Sequence, residues 1–417
     1  MRIVDLFCGG GGLSHGLTQA GHDVVAAYDW WQPALDFYNR NIHDHHAYKL
    51  DLSNVAKSVA EIRRWKPDVI VGGPPCQDFS SAGKRDENGG RASLTISYAK
   101  IVTTVRPKMF VMENVERAIK TKTYRNALRI FKAAGYDLAV AVLDASLCGA
   151  PQARKRIVVV GGLKFSVAEM IGLYRANQAH APMTIREYLG NELNIDFYYR
   201  HPRSYARRGV FSVDEPSPTI RGVNRPIPQG YPGHEGDAAP ITTRGLRPLT
   251  TRERSRIQTF PAEWDLCGNK SDIEQIIGNA VPCALGEFVG RALRAFDEMP
   301  HRKATPDVNS VSVFTQYENA RNGDVGTVDL EPLDPSIVDS DDDTVDNCEE
   351  YSPCEPVPAQ MLLAVERKKA QLAAAQREKG YKGKWYSTRR ESVVKLRTVA
   401  VAAKRSLGGK AMPPRKK

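Results

Sequence analysis

Asp5-Leu6-Phe7-Cys8-Gly9-Gly10-Gly11-Gly12 is the stretch on which the fold turns. The apolar run through residues 2–7 has the content of a buried strand, and the four glycines let the backbone approach a ligand closely before a helix opens at Leu13. Dinucleotide enzymes and many other proteins share such a turn, so it establishes a strand, turn and helix and nothing more specific. Outward from it, β-branched runs at 23–28, 68–71, 108–112, 138–143 and 157–160 predict further strands, and residues 13–20 and 34–40 predict helices, the first capped by Gly21. Alternation of this kind predicts an α/β domain: a doubly wound, mostly parallel sheet with helices on both faces. No helical stretch separates the last two runs, so they are expected as an antiparallel hairpin at one edge of the sheet.

Composition narrows the field. The chain has 417 residues, 41% hydrophobic, and no unbroken apolar stretch long enough to cross a bilayer. No signal-peptide pattern precedes the first strand, so a cytoplasmic location is expected. Seven cysteines, without a CxxC pair, fit neither a disulfide framework nor a zinc site, and no metal is expected. The net charge of +11 favours a polyanionic partner, nucleic acid first. That charge is unevenly spread. From Val357 onward there are 17 Lys/Arg against 3 Asp/Glu, an excess of 14, whereas residues 324–350 hold 11 acids and no Lys or Arg.

The chain divides accordingly. Residues 1–162 carry the alternating pattern, and 163–246 are rich in Pro, Arg, Tyr and Gly without clean periodicity, as in a small loop-rich module or an extended surface insertion. Helical order returns over 248–260 and 274–296, which closes the folded body within 247–298. Residues 299–356 are expected as an acidic linker too polar to fold. Residues 357–417 read as a basic tail, helical in part, that either clings to phosphates or is merely solvated.

Two short motifs carry chemistry. Pro74-Pro75-Cys76-Gln77 holds a cysteine after a strand, a poor core position and a good one for an attacking thiolate, and Glu113-Asn114-Val115 supplies a nearby acid. A lone cysteine is more often a small buried hydrophobe; the pairing favours covalent catalysis. Asp29, closing the second strand, is placed for ribose hydroxyls, Trp30 for stacking on adenine, and Asp51, after the third, for an exocyclic amine. Each has an ordinary alternative as a cap, a lid over the core or a surface charge. Together with the glycine turn they outline an adenosine pocket at the carboxyl ends of the strands.

With these motifs in order, the chain resembles the cytosine-C5 DNA methyltransferases of prokaryotic or phage type, from Asp5 to about Phe296. The resemblance rests on the cofactor loop Phe7 to Gly12, on Pro74-Pro75-Cys76-Gln77-Asp78-Phe79-Ser80, and on Glu113-Asn114-Val115. It extends through Gln152-Ala153-Arg154-Lys155-Arg156, Arg247-Pro248-Leu249-Thr250 with Arg256-Ile257-Gln258-Thr259-Phe260-Pro261, and Gly278-Asn279-Ala280-Val281-Pro282. It implies S-adenosyl-L-methionine as cofactor, held by Phe7, Gly9, Gly11, Gly12, Leu13, Asp29, Trp30, Asp51, Pro75, Asn279 and Val281. It implies Cys76 as nucleophile, Glu113 as acid, Arg156 near cytosine O2, and Arg154 supporting the loop and phosphates. The partner is double-stranded DNA, whose target base must be rotated out of the stack. Residues 77–93 are expected either as a loop that closes over DNA or as a surface loop with no gating role, with Gln77, Ser80, Lys84, Arg85 and Arg91 as candidate DNA contacts; Ala82 stands where some relatives place a serine that fills the vacated stack. Residues 163–246 become the target-recognition region, in which Thr219-Ile220 matches a recurring dipeptide and Arg221, Asn224 and Arg225 are candidates for base edges. A monomer is expected, with a cognate restriction endonuclease as a candidate partner. The alternatives are the same chemistry on transfer RNA, a catalytically silent DNA-binding regulator, and, from the glycine turn alone, a nicotinamide oxidoreductase.

Overall fold

The computed structural model describes residues 1–75, 93–299, 310–315 and 324–329. The described residues all lie within one compact unit.

Strand β1 (Arg2–Leu6) leads into α1 (Gly12–Gln19), β2 (Asp23–Asp29), α2 (Gln32–Asn41), β3 (Ala47–Lys49), α3 (Val55–Arg63) and β4 (Val69–Gly72). Then follow α4 (Ser93–Val105), β5 (Met109–Val115), α5 (Lys122–Ala133), β6 (Asp137–Asp144), β7 (Gln152–Ala153) and β8 (Lys155–Gly162). The irregular part holds α6 (Val167–Asn177), α7 (Ile185–Leu189), β9 (Phe197–Tyr199), β10 (Val210–Ser212) and β11 (Ser217–Pro218). Helices α8 (Thr251–Ile257), α9 (Lys270–Asn279) and α10 (Cys283–Asp297) come next, and strands β12 (Ser310–Thr315) and β13 (Asp324–Asp329) last.

The sheet runs β13-β12-β6-β8-β5-β4-β1-β2-β3. Pairings of β1 with β2 and β4, β2 with β3, β4 with β5 and β6 with β12 are parallel; β8 is antiparallel to both β5 and β6. The strand order reverses between β1 and β4, so the glycine turn after β1 lies at the topological switch point, where open α/β sheets bind ligands. Period-two alternation divides the core: Val4 and Leu6 pack with Ile70, Phe110, Ile101 and Leu128 on one face, while Ile3 packs with Val69, Leu17, Phe288 and Leu293 on the other. Helix α10, though last of the helices in sequence, therefore completes the core beside α1. A third cluster, with Phe37, Tyr198, Ile220, Phe260 and Ile276, joins the irregular part to this body.

The α/β expectation holds, and three local expectations change. The β6–β8 hairpin is antiparallel, but it is internal: β8 is inserted between β5 and β6, and β12–β13 lies beyond β6. The segment read as a linker thus contains two strands, paired with each other, with Val313, Phe314 and Thr315 in parallel register with Val140, Ala141 and Val142. Phe314 is 1% exposed, so this short apolar run has a core to join. Residues 274–296, expected as one helix, are split at Ala280-Val281-Pro282. Proline fixes its own φ and pushes the residue before it out of the helical region, so α9 ends at Asn279 and Pro282 caps α10.

Candidate active site

The turn after β1 is tightly specified. Phe7 has φ 58° and Gly9 and Gly11 have φ 52° and 85°, a left-handed conformation strained for Phe and free for Gly. Gly11 caps α1 without a side chain, which leaves the helix's first N–H groups without a side-chain acceptor. The turn is packed on its inner sides. A Cβ on Gly12 would fall on the Val281 carbonyl, one on Gly10 on Ile276 and one on Gly11 on Ile42, so the closing segment after α9 seats directly on the turn. Gly9 has open space before it. Its N–H donates to Asp29 Oδ2 at 2.9 Å, and Trp31 N–H donates to Asp29 Oδ1 at 2.9 Å, so Asp29 holds the turn in place. Burial pushes the Asp29 carboxyl up, and its backbone donors pull it back. Beneath the turn, Asp5 Oδ2 accepts from Ser14 at 2.5 Å while Oδ1 is buried without a hydrogen-bond donor among the described residues. Burial, against Ser14, raises Asp5 to about 7.

Trp30 is 63% exposed, with Lys49 Nζ 4.9 Å from its ring centroid, a flat surface at the carboxyl end of β2. Asp51, two residues beyond β3, accepts from Ser53 N–H and Oγ through Oδ1 alone, and these bonds hold its carboxyl below the usual range.

A second constellation sits at the end of β5. Glu113 Oε1 pairs with Arg156 Nε at 2.9 Å, both side chains 12% exposed. The antiparallel pairing of β5 with β8 brings them together, since Arg156 stands opposite Val115. Burial pushes the Glu113 carboxyl up, and Arg156, then Arg154, pull it back. Asn114 donates from Nδ2 to the Pro74 carbonyl at 3.1 Å, tying the diproline to the same strand end. A Cβ on Gly73 would lie 3.1 Å from Glu113 Oε2, so only glycine leaves that oxygen unobstructed. The arrangement is a buried acid whose carboxyl burial pushes up, with a guanidinium paired to it.

The irregular part forms a cleft of about 490 Å³ lined by Arg200, Arg203, Arg221, Arg225 and Arg254, with no carboxylate in its lining among the described residues. Burial first, and then the neighbouring Arg221, push Arg200 down to about 10. Val223 stands 63% exposed on the loop between Arg221 and Arg225.

A family model for the C-5 cytosine-specific DNA methylases matches residues 1–295. The chain belongs to that family. It is 51% identical over 302 residues to the Type II methyltransferase M.HindV of Haemophilus influenzae, covering 72% of this chain and 99% of that one. It is 50% identical over 300 residues to the Type II methyltransferase M.HgiDI of Herpetosiphon aurantiacus, with coverages of 72% and 96%. Among solved structures, a DNA modification methyltransferase encoded within an E. coli prophage aligns with TM-score 0.53 at 21% identity over 72% of this chain and all of that one. The S. pombe Dnmt2 methyltransferase aligns at 0.52 and 19%, over 72% and 98%. At those identities the structural likenesses speak for the fold, so the Dnmt2 match does not favour the transfer-RNA alternative. The chain is a DNA cytosine-C5 methyltransferase.

For this C-5 cytosine methylase the structure brings together much of the expected site and reassigns several members. Phe7, Gly9, Asp29, Trp30 and Asp51 gather at the ends of β1, β2 and β3, with half-buried Val281 and Pro75 and exposed Asn279 at the neighbouring segment ends. Leu13 is 7% exposed and its side chain belongs to the core, so only its backbone is available to a ligand, and Gly12 faces protein. Arg154, expected on the loop and phosphates, is 2% exposed and donates to the carbonyls of Ile220, Gly278 and Ala280. There it ties Ile220 to the segment after α9. Asn224 donates from Nδ2 to Leu249 O, which leaves one N–H and its carbonyl oxygen for a base edge, and Thr219 Oγ1 donates to Ala153 O. Arg221 is half-buried and Arg225 exposed at the cleft. Cys76, Gln77, Ser80, Ala82, Lys84, Arg85 and Arg91 lie outside the described residues. The sequence reading missed Arg200, His201 and Arg203, whose one signal was a Tyr-Tyr-Arg-His-Pro-Arg run inside an aperiodic region. It also missed the Arg254–Glu274 pair, 5% exposed on each side.

Among the described residues no helix is long and apolar enough to cross a membrane, and no cluster of His, Cys, Asp and Glu is arranged to hold a metal. No disulfide joins any two of the four described cysteines.

Proposed function

We propose that this methyltransferase acts on a cytosine extruded from duplex DNA, with Cys76 as nucleophile and S-adenosyl-L-methionine as methyl donor. The observation that carries the reading is the buried Glu113–Arg156 pair beside the Asn114–Pro74 hydrogen bond, two residues before Cys76 in sequence. Cytosine C5 is a weak nucleophile within an aromatic ring. Addition of the Cys76 thiolate at C6 breaks the aromaticity and moves electron density toward N3 and O2. Neutral Glu113 donates a proton to N3, and Arg156 stabilises charge at O2. C5 becomes enamine-like and able to accept an alkyl group. S-adenosyl-L-methionine supplies that group as an electrophilic methyl. Loss of the C5 proton, for which water is an adequate base, return of the N3 proton to Glu113 and expulsion of the thiolate restore the aromatic ring and free Cys76.

The glycine turn suits this cofactor: an uncapped helix N-terminus, open space before Gly9, the exposed Trp30 ring and the free Asp51 Oδ2 offer partners for a carboxylate, a ribose, an adenine ring and its amine. Buried Asp5 Oδ1 leaves an acceptor beneath the turn unused. Residues 1–162 with 247–298 act in this reading as the catalytic body and 163–246 as the target-recognition module, its arginine cleft against DNA. The enzyme works in the cytoplasm as a monomer, and the Type II names of its relatives motivate the search for a companion restriction endonuclease.

DNA containing 5-fluorocytosine tests the route, because fluorine cannot leave as the C5 proton does. A denaturation-resistant complex is expected with the native chain and none with Cys76→Ser; no complex with an active enzyme would overturn the covalent step. Labelled methyl appearing in transfer RNA alone would overturn the substrate.

A further inference from the structure

Ile220, the residue before the Arg221–Arg225 loop, is held by both of its peptide groups. Its N–H donates to Gln152 Oε1 at 2.8 Å, and its carbonyl accepts from Arg154 Nη1 at 3.1 Å. The same two side chains reach the segment after α9. Arg154 Nη2 donates to the carbonyls of Gly278 and Ala280 at 3.1 and 3.0 Å. Gln152 Nε2 donates to Gln258 Oε1 at 2.7 Å, and Gln258 Nε2 donates to the carbonyls of Ile277 and, at 3.2 Å, Ala280. The next carbonyl, that of Val281, occupies the place a Cβ on Gly12 would take. Nearer the cleft, Arg254 donates to the Arg221 carbonyl, and the backbone of Arg221 and Gly222 fills the space over Gly278.

The cleft loop and the glycine turn are thus joined through one buried polar clasp, in which Gln152 and Gln258 are fully buried. Moving one member alone would orphan donors and acceptors away from water, so the clasp shifts as a unit or not at all.

We propose that Gln152, with Arg154 and Gln258, couples the Arg221–Arg225 loop to the glycine turn, so that DNA on the loop and methyl donor at the turn raise each other's affinity. Linkage requires the effect to be reciprocal. The inference rests on the cofactor and DNA reading above.

The probe is S-adenosylhomocysteine, titrated calorimetrically into the full chain, alone and with a duplex carrying the modified site found by bisulfite sequencing. For the native chain DNA should tighten binding by about 5-fold or more, the lower range of typical allosteric couplings. Gln152→Leu should bring that ratio close to one while leaving affinity without DNA nearly unchanged. Gln152→Glu keeps the acceptor for Ile220 but turns oxygen toward Gln258, and should lose the ratio too. A native ratio retained in either variant, or equal weakening with and without DNA, overturns the coupling. Should the variants fail to fold, hydrogen exchange of the native peptide containing Ile220 decides: S-adenosylhomocysteine alone should slow it, and unchanged exchange overturns the proposal. A native chain that does not bind the probe overturns the cofactor reading, and the coupling with it. One that binds it with no response to DNA overturns the coupling alone.

Discussion

Glu113 shows burial and a paired guanidinium pulling one carboxyl in opposite directions. The group is useful as an acid only while neutral, and burial holds its carboxyl above the ordinary value of 4.5 against the pull of Arg156. Turnover is therefore expected to persist above the usual carboxyl range and to fall as pH rises through the elevated pKa. Glu113→Gln should lower kcat by roughly 10²-fold or more, the usual contribution of a positioned general acid, and abolish that alkaline limb. A mutant with the native pH profile would show that another group supplies the proton. Asp5 makes a prediction of a different kind. Folded, it keeps its proton to about pH 7; unfolded, it releases it near 3.8. Its stabilising contribution is thus complete below the unfolded value and is lost as pH rises through about 7. Asp5→Asn should flatten the pH dependence of unfolding in urea, removing roughly 2–4 kcal/mol of the difference between pH 4 and pH 8. An unchanged dependence would mean that Asp5 titrates normally.

At the scale of elements, legibility followed the physics that each segment obeys. Strands β1, β2, β4, β5, β6 and β8 could be read directly because each is a short apolar run between polar breaks, and the glycine turn because nothing else tolerates its backbone. The split of α9 from α10 was legible in Pro282 and was overridden by apolar periodicity on either side. The roles of Arg154 and Asn224 could not be read: the same side chain serves phosphate, base edge or carbonyl, and only the fold brings Ile220, Gly278 and Ala280 around one guanidinium. Strands β12 and β13 went unread because their stability comes from pairing at the β6 edge rather than from their own composition. The Arg254–Glu274 pair tests how α8 and α9 are joined, since Thr251 Oγ1 also donates to Glu274 Oε1 at 2.6 Å. Arg254→Met alone leaves a buried carboxylate unmatched and should cost about 3–5 kcal/mol in chemical denaturation. Arg254→Met with Glu274→Leu should cost much less. Equal losses would deny the pair its electrostatic character.

At the scale of the whole molecule, charge and family resemblance part company. The family match ends at residue 295, yet the excess of 14 positive charges lies beyond Val357, preceded by 11 acids over 324–350. Truncation after Asn347 retains the whole first unit and removes the basic segment. DNA affinity is expected to drop mainly at low salt, with a shallower dependence on salt concentration and the same methylated site. A changed site, read by bisulfite sequencing, would assign recognition to the tail. The seating of Val281 on Gly12 has a consequence for how the protein comes into being. The glycine turn leaves the ribosome 269 residues ahead of its cover, roughly 15–50 s at ordinary rates of synthesis. Through that interval Leu13 and Leu17 await the helix that will bury them, and a nascent or prematurely ended chain presents chaperones with an apolar face and the genome with no enzyme.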